Sequence, residues 1–237
     1  MKKVAVIDSG SGGLNVLKEL FASSSGCQFL FLADEKNAHY GTKSPAELQS
    51  IACGLVDLLN SFFKPDVIVI ACNTLTAAAI SHVRKVYPEI NFIGCEPAIK
   101  PAIEKYAPED ILLLATPTTI KECKLLKKYK GINAISIDSL PSLIDNNLFD
   151  LDSLTDYLEE NIAPYSPKAI VLGCTHFEAV KKQIASFSDA ELFGSSQGIS
   201  KRLQEFCHDE GGNDCSFMTT GNGDSLGAYF HYLTKND

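Results

Sequence analysis

The sequence has no apolar run approaching the roughly 20 residues that a membrane-spanning helix requires, so no membrane association is expected. None of its eight cysteines, at 27, 53, 72, 95, 123, 174, 207 and 215, forms a Cys-x-x-Cys pair, which argues against tetrahedral zinc. No Gly-x-x-x-x-Gly-Lys-Ser/Thr loop occurs, and the dinucleotide fingerprint is incomplete: Gly10 and Gly12 are in place, but the third position is Asn15. Neither a nucleotide nor a metal cofactor is therefore expected. Basic residues are few, 21 against 29 acidic, and the net charge of -8 argues against a nucleic-acid partner, which needs clustered Lys and Arg. It does not argue against a small anion, because backbone N–H groups and hydroxyls bind carboxylates without net positive charge. The opening segment meets Asp8 after four apolar residues, too few for a signal-peptide core, so cytoplasmic residence and reduced thiols are expected. Most of the cysteines then read as small core residues.

What the sequence does contain is one design written twice. Pro65-Asp66-Val67-Ile68-Val69-Ile70-Ala71-Cys72-Asn73-Thr74 is matched, 102 positions later, by Pro167-Lys168-Ala169-Ile170-Val171-Leu172-Gly173-Cys174-Thr175-His176. Each runs from a proline through an apolar, β-branched stretch to a small residue, a cysteine and polar side chains. Short runs that are apolar on both faces suit the interior of a parallel sheet. Ligands of open α/β sheets bind beyond the carboxyl ends of the strands, where both thiols would sit. If the halves face each other, two thiols flank one cleft.

The length of 237 residues allows one large domain or two, and the repeat favours two. Strands are expected at Val4–Ile7, Phe29–Ala33, the first cysteine segment, Phe92–Gly94, Ile111–Ala115, Asn133–Ile137, the second cysteine segment and Ser216–Thr220. Helices are expected at Leu14–Phe21, Pro45–Phe63 with Ser44 as cap, Thr76–Val86, from Thr116–Thr119 onward, Leu151–Ile162 capped by Asp152 or Ser153, Phe177–Phe187 and Asp224–Leu233. Glu96–Pro101 reads as a hinge. This alternation means an α/β protein with parallel sheets.

Several motifs carry two readings. The loop Asp8-Ser9-Gly10-Ser11-Gly12-Gly13 is a tight turn whose amides at a helix start suit a carboxylate, while Asp8 either caps that helix or faces a ligand. Each cysteine precedes a helix, whose N-terminus is expected to lower the thiol pKa. His176 is a general acid/base partner of Cys174 or an orienting group. Tyr40-Gly41-Thr42 and Thr116 to Thr119 are loop chemistry or ligand contacts.

Together these residues resemble the glutamate racemases of the cofactor-independent aspartate/glutamate racemase superfamily. The resemblance runs through nearly the whole chain: Asp8-Ser9-Gly10-x-Gly12-Gly13-Leu14, Tyr40-Gly41, Ala71-Cys72-Asn73-Thr74-x-Thr76-Ala77, Thr116 with Thr119, and Gly173-Cys174-Thr175-His176. It implies two pseudo-symmetric α/β domains, each with a mostly parallel sheet flanked by helices and the active site between them. The first would be residues 1–95 completed by 208–237, and the second 96–207. It further implies that Cys72 takes the α-proton of D-glutamate and Cys174 that of L-glutamate, assisted by Asp8 and His176. Ser9, Tyr40, Gly41, Asn73, Thr74, Thr116, Thr119 and Thr175 would hold the substrate. A homodimer supplying D-glutamate for peptidoglycan synthesis is the family expectation. The sequence departs from the family where Lys36 and His39 precede Tyr40-Gly41, where Phe177-Glu178 follows His176, and where Asp145 replaces a glutamate.

The chemistry fits independently. An amino acid's α-hydrogen is a very weak acid, so its removal needs a base held against it and a carbanion kept from water. No lysine motif for pyridoxal is evident, whereas two thiols on opposite faces allow one to abstract while the other donates. The rivals are a racemase of aspartate or another acidic amino acid, a non-catalytic amino-acid-binding protein of this fold, and a redox protein. The last needs its thiols within about 6–7 Å between Cα atoms.

Overall fold

The alternation of strand and helix resolves into two parallel sheets, one of five strands and one of four. The computed structural model describes residues 1–207, 210–221 and 226–235. The first stretch runs β1 (Lys2–Asp8), α1 (Gly13–Ser23), β2 (Cys27–Ala33), α2 (Pro45–Phe62), β3 (Val67–Ile70), α3 (Asn73–Val86) and β4 (Asn91–Gly94). Next come α4 (Ile99–Ile103), β5 (Ile111–Ala115), α5 (Pro117–Glu122), α6 (Lys124–Lys128), β6 (Asn133–Ile135), α7 (Leu140–Asn146) and α8 (Thr155–Ile162). The chain continues through β7 (Ala169–Gly173), α9 (Lys181–Phe187), β8 (Glu191–Phe193), α10 (Ser196–Gln204), β9 (Asp214–Thr219) and α11 (Leu226–Lys235).

The first sheet has the order β4-β3-β1-β2-β9 and the second β6-β5-β7-β8, every pairing parallel. This is a two-domain α/β fold. β1 lies between β2 and β3, and β5 between β6 and β7, so the chain leaves each of these strands toward opposite edges. Such reversals open a crevice at the strands' carboxyl ends. Register aligns the ends: Ile7 pairs with Ile70, and Ala115 with Gly173. Asp8 and Cys72 therefore emerge side by side from the first sheet, and Thr116 and Cys174 from the second.

Burial on both faces explains the continuous apolar strands. Val4 and Val6 enter one core with Leu14, Leu17 and Phe31, while Ala5 and Ile7 enter the opposite core with Leu48, Leu59 and Ile70. Leu112 and Leu114 divide from Ile111 and Leu113 in the same way in the second sheet. α2 follows its sequence signals. Ser44 accepts from Glu47 N, Glu47 Oε2 accepts from Ser44 N at 2.9 Å, and Pro45 occupies the first turn. A cap of this kind is worth about 1 kcal/mol. Leu48, Ala52, Leu55, Val56 and Leu59 form its buried stripe.

Five expectations need correction. The helix after Cys72 begins at Asn73, not Thr76. Part of the expected hinge is helical, because α4 starts at Ile99. Leu151–Leu154 is a 3-10 turn, and α8 begins only at Thr155 without a side-chain cap. Asp152 instead accepts from Gln183 Nε2 at 2.8 Å, and Ser153 Oγ donates to Asp150 O. Thr175–Val180 is also a 3-10 turn, leaving Lys181–Phe187 as the α-helix, since Phe177 is pinned in the core and Glu178 is drawn to Ser195 N at 2.8 Å. The weak strand after Asn133 stops at Ile135. Sequence reading missed β8 and α10; the latter packs on α1 and sends Ile199 and Leu203 into the first sheet's core. The C-terminal helix covers Leu226–Lys235, while Asp224, where it was expected to start, lies outside the described residues. Among the described residues no helix is long and apolar enough to cross a membrane.

Candidate active site

Asp8 ends β1 at zero exposure. Its Oδ2 accepts from Gly13 N, the first amide of α1, and from Thr175 Oγ1 at 3.3 Å, across from the other sheet. Asp8 thus holds the first amide of α1 while its carboxylate is buried in the interior. Gly13 is required there, since a Cβ would lie 2.6 Å from Asp8 Cβ. Asp8 Oδ1 has no donor among the described residues. Burial raises the Asp8 pKa, against the opposing charge of His176 and hydrogen bonds from Ser9, Gly13 and Cys72.

Cys72 precedes α3 and is 5% exposed. The expected lowering of its pKa by the helix N-terminus is overturned. Burial first, and then the charge of Asp8, push the thiol well above its ordinary value, outweighing the amides of Leu75 and Thr74. Helix-end amides supply roughly half a charge, which full desolvation and a whole neighbouring carboxylate exceed. The resting side chain is a thiol.

Cys174 follows β7 at 8% exposure, and its Sγ lies 3.7 Å from His176 Nδ1. His176 Nε2 lies 3.3 Å from Asp145 Oδ2, an ion-pair distance whose direction misses that of a hydrogen bond. Burial acts against charge on His176, but Asp145 and Cys174 outweigh it, so its pKa stands well above the usual value. Burial similarly opposes the Asp145 carboxylate, yet His176 and Ser11 hold its pKa below normal. One side of the site therefore sets Cys72 beside the Asp8 carboxyl group, and the other sets Cys174 beside His176 and Asp145.

The remaining predicted residues gather around these groups. Thr74 Oγ1 lies 2.9 Å from Thr116 Oγ1 and 3.2 Å from Thr119 Oγ1, a hydroxyl cluster drawn from both sheets. Thr116 also caps α5, accepting from Thr119 N at 3.3 Å. Asn73 Nδ2 donates to Cys95 O at 2.9 Å, and its Oδ1 has no donor among the described residues. Gly41 packs on Thr116, where a Cβ would approach to 3.1 Å. Tyr40 is buried, and its hydroxyl donates to Asp34 at 2.5 Å rather than toward the thiols; burial and Asp34 push its pKa up. Ser9 is buried directly after Asp8.

Three polar positions escaped sequence reading. Asp34 accepts from Asn37, Tyr40 and Thr220 and so anchors the Tyr40-Gly41 loop. Its only signal is an acidic residue directly after an apolar strand, as with Asp8. Ser11 donates to Asp145, and Ser195 lies 3.4 Å from Asn73 Nδ2; neither has a local signal. Phe177 is core, and Glu178 turns away to Ser195 and Lys181. A neighbouring cleft of about 1410 Å³, lined by Asn15, Pro97, Glu178 and Tyr229, contains neither thiol. Both thiols are buried where side chains of the two sheets meet.

No family model matches the chain. Individual relatives do. The chain is 38% identical over 212 residues to a glutamate racemase of Clostridium acetobutylicum, covering 85% of this chain and 82% of that protein. The glutamate racemase structure from Campylobacter jejuni superposes with a TM-score of 0.84 at 25% identity, over 99% of this chain and 98% of the other. That of Escherichia coli, in complex with L-glutamate and the activator UDP-MurNAc-Ala, gives 0.82 at 25% identity over 96% and 95%. With the paired cysteine strands and this likeness along most of its length, the chain belongs to the glutamate racemase family and is an amino-acid racemase.

Proposed function

We propose that this racemase interconverts L- and D-glutamate by proton transfer between two thiols, with no cofactor. The observation that carries the reading is that β3 of one sheet and β7 of the other lead into the buried Cys72 and Cys174, where Thr74 meets Thr116 and Asp8 meets Thr175 across the two sheets and each thiol has its own acid/base neighbour. The L-glutamate bound by the Escherichia coli relative supports the same substrate here.

Cys72, as thiolate, takes the α-proton of D-glutamate while Cys174 delivers a proton to the opposite face; the roles reverse for L-glutamate. Asp8 accepts the Cys72 proton and His176 exchanges one with Cys174. The substrate ammonium suits the unpartnered acceptors Asp8 Oδ1 and Asn73 Oδ1. Its positive charge favours the ionised forms of Asp8 and Cys72 that burial disfavours, so the base is generated only when substrate is bound. Ser9, Thr74, Thr116, Thr119, Thr175 and the Asn73 and Gly41 amides hold the carboxylates and stabilise enolate-like charge. Tyr40 shapes the loop that carries Gly41. Exclusion of water from the interior protects the carbanion. The reading extends to a cytoplasmic homodimer supplying D-glutamate for peptidoglycan synthesis.

The test is incubation of chelator-dialysed protein with L-glutamate, without pyridoxal phosphate, while optical rotation is followed to zero. Turnover that needs added metal or pyridoxal phosphate would overturn the cofactor-free reading. Turnover of aspartate in place of glutamate would overturn the substrate.

A further inference from the structure

Helix α7 spans the edge of the site and touches the other half of the molecule through two side chains three residues apart. Asp145 accepts from Ser11, in the loop between β1 and α1. Ser142 Oγ lies 3.0 Å from His39 Nε2, in the loop that leads into Tyr40. Positions i and i+3 share one helix face, so both bonds act on the same side of α7. The Asp145 carboxylate is divided between two duties: Oδ1 is held by Ser11, and Oδ2 faces His176 Nε2 at 3.3 Å. Gly10 and Gly12 bring the Ser11 loop against the same ring. A Cβ on Gly12 would lie 2.6 Å from His176 Nδ1, and one on Gly10 3.5 Å from Nε2. Two of the first sheet's loops therefore fix the carboxylate that fixes the histidine beside Cys174.

We propose that Ser11 and His39 are positioning residues, which dock α7 on the opposite half and thereby hold Asp145 against His176 on the Cys174 face of the site. A short aspartate reaches His176 only from a helix placed close by; Leu140 and Ile144 seat α7 in the second sheet's core, and these two bonds tie its free face to the opposite half. The ionisable groups facing the Asp145–His176 pair are Asp8 from β1, Cys174 from β7, His39 from its loop and Tyr229 from α11. Of these, Cys174 is itself a reacting thiol and Asp8 adjoins the other, Cys72. Removing the Ser11 bond frees the Asp145 carboxylate to turn away from His176, and the lost proximity disfavours imidazolium there.

The catalytic part rests on the two-thiol reading above; the titration part does not. In the experiment, the His176 ring is followed by NMR against pH in the wild type, Ser11→Ala, Ser11→Thr and His39→Ala. The same proteins are assayed for elimination from the L- and D-forms of a 3-chloro analogue of glutamate, a reaction that needs one base only. The His176 midpoint should move to lower pH in Ser11→Ala, recover in Ser11→Thr, and move the same way in His39→Ala. Elimination from the L-analogue should fall about tenfold, the loss of one hydrogen bond to a charged group, with the D-analogue changed less than about twofold. An unmoved His176 midpoint in both alanine variants overturns the proposal, as does equal loss on both faces. If Ser11→Ala does not fold, His39→Ala decides by the same two readouts. A wild type that leaves both glutamate enantiomers unchanged defeats the two-thiol reading, while the His176 titration still decides the docking role.

Discussion

Replacing Gly12 by alanine isolates the close approach between the two halves. Gly12 has ordinary right-handed backbone angles, φ -56 and ψ -37, so alanine meets no conformational strain of its own. What it meets is His176: the added Cβ would lie 2.6 Å from Nδ1, 2.7 Å from the backbone N and 2.8 Å from Cγ. Ordinary contact starts at 3.4 Å, so the loop and the histidine must separate by about 0.8 Å. Neither side is a flexible side-chain end, because His176 is buried and its own backbone is one of the obstacles. Overpacking of this kind costs about 1–3 kcal/mol, roughly 2–12 °C in Tm for a chain of this size. A misplacement near 1 Å at the chemistry costs about 10²-fold in rate. The assay is racemisation of glutamate by circular dichroism, beside thermal unfolding. Gly54→Ala is the control: it lies within α2 and a Cβ there meets nothing within 4 Å. It should gain about 0.4–1 kcal/mol through the unfolded chain and keep full turnover. Near-normal turnover of Gly12→Ala would refute the close packing of the loop on His176.

Asp8→Asn and His176→Asn should each lower turnover by about 10²–10⁴-fold, as loss of positioned acid/base groups does; folded variants with near-normal rates in both directions would remove these roles. Asp8→Asn should also let Cys72 ionise at lower pH, because a repelling charge is gone, which alkylation rate against pH measures. Cys72→Ser and Cys174→Ser should each nearly abolish racemisation, non-additively, since either direction uses both thiols; racemisation in D₂O should place solvent deuterium in the inverted product, and activity in the double variant would exclude the mechanism. His176 has a raised folded-state pKa, so its contribution to stability is complete below its ordinary value of 6.5 and is lost as pH rises through the folded value. Asp145→Asn should flatten that alkaline decline in denaturant unfolding, and an unchanged decline would contradict the ion pair.

Short-range patterns were enough for much of this architecture. The apolar runs of β1, β3, β5 and β7 identify themselves, because a strand covered on both faces tolerates no polar residue in its middle. The Ser44 cap, Pro45 and Glu47 mark the start of α2 within one turn, and Thr116 marks α5. Both cysteines and Asp8 were legible as residues just past such strands, where parallel sheets open. Outcomes that depend on distant partners were not legible. The three-residue strand β8 and helix α10 lack a periodic signal long enough to stand out, and they exist because Phe193, Ile199 and Leu203 find prepared cores. The helix expected after Cys174 became a 3-10 turn, since Phe177 and Glu178 are held by groups far along the chain. The state of Cys72 reversed sign for the same reason: its local helix favours thiolate, but burial and Asp8, 64 positions away, prevail. The bond from Ser11 to Asp145 spans 134 positions. Hydrophobic period and capping act within a few residues and are written locally, whereas desolvation, charge pairing and the meeting of two loops are properties of the assembled interior.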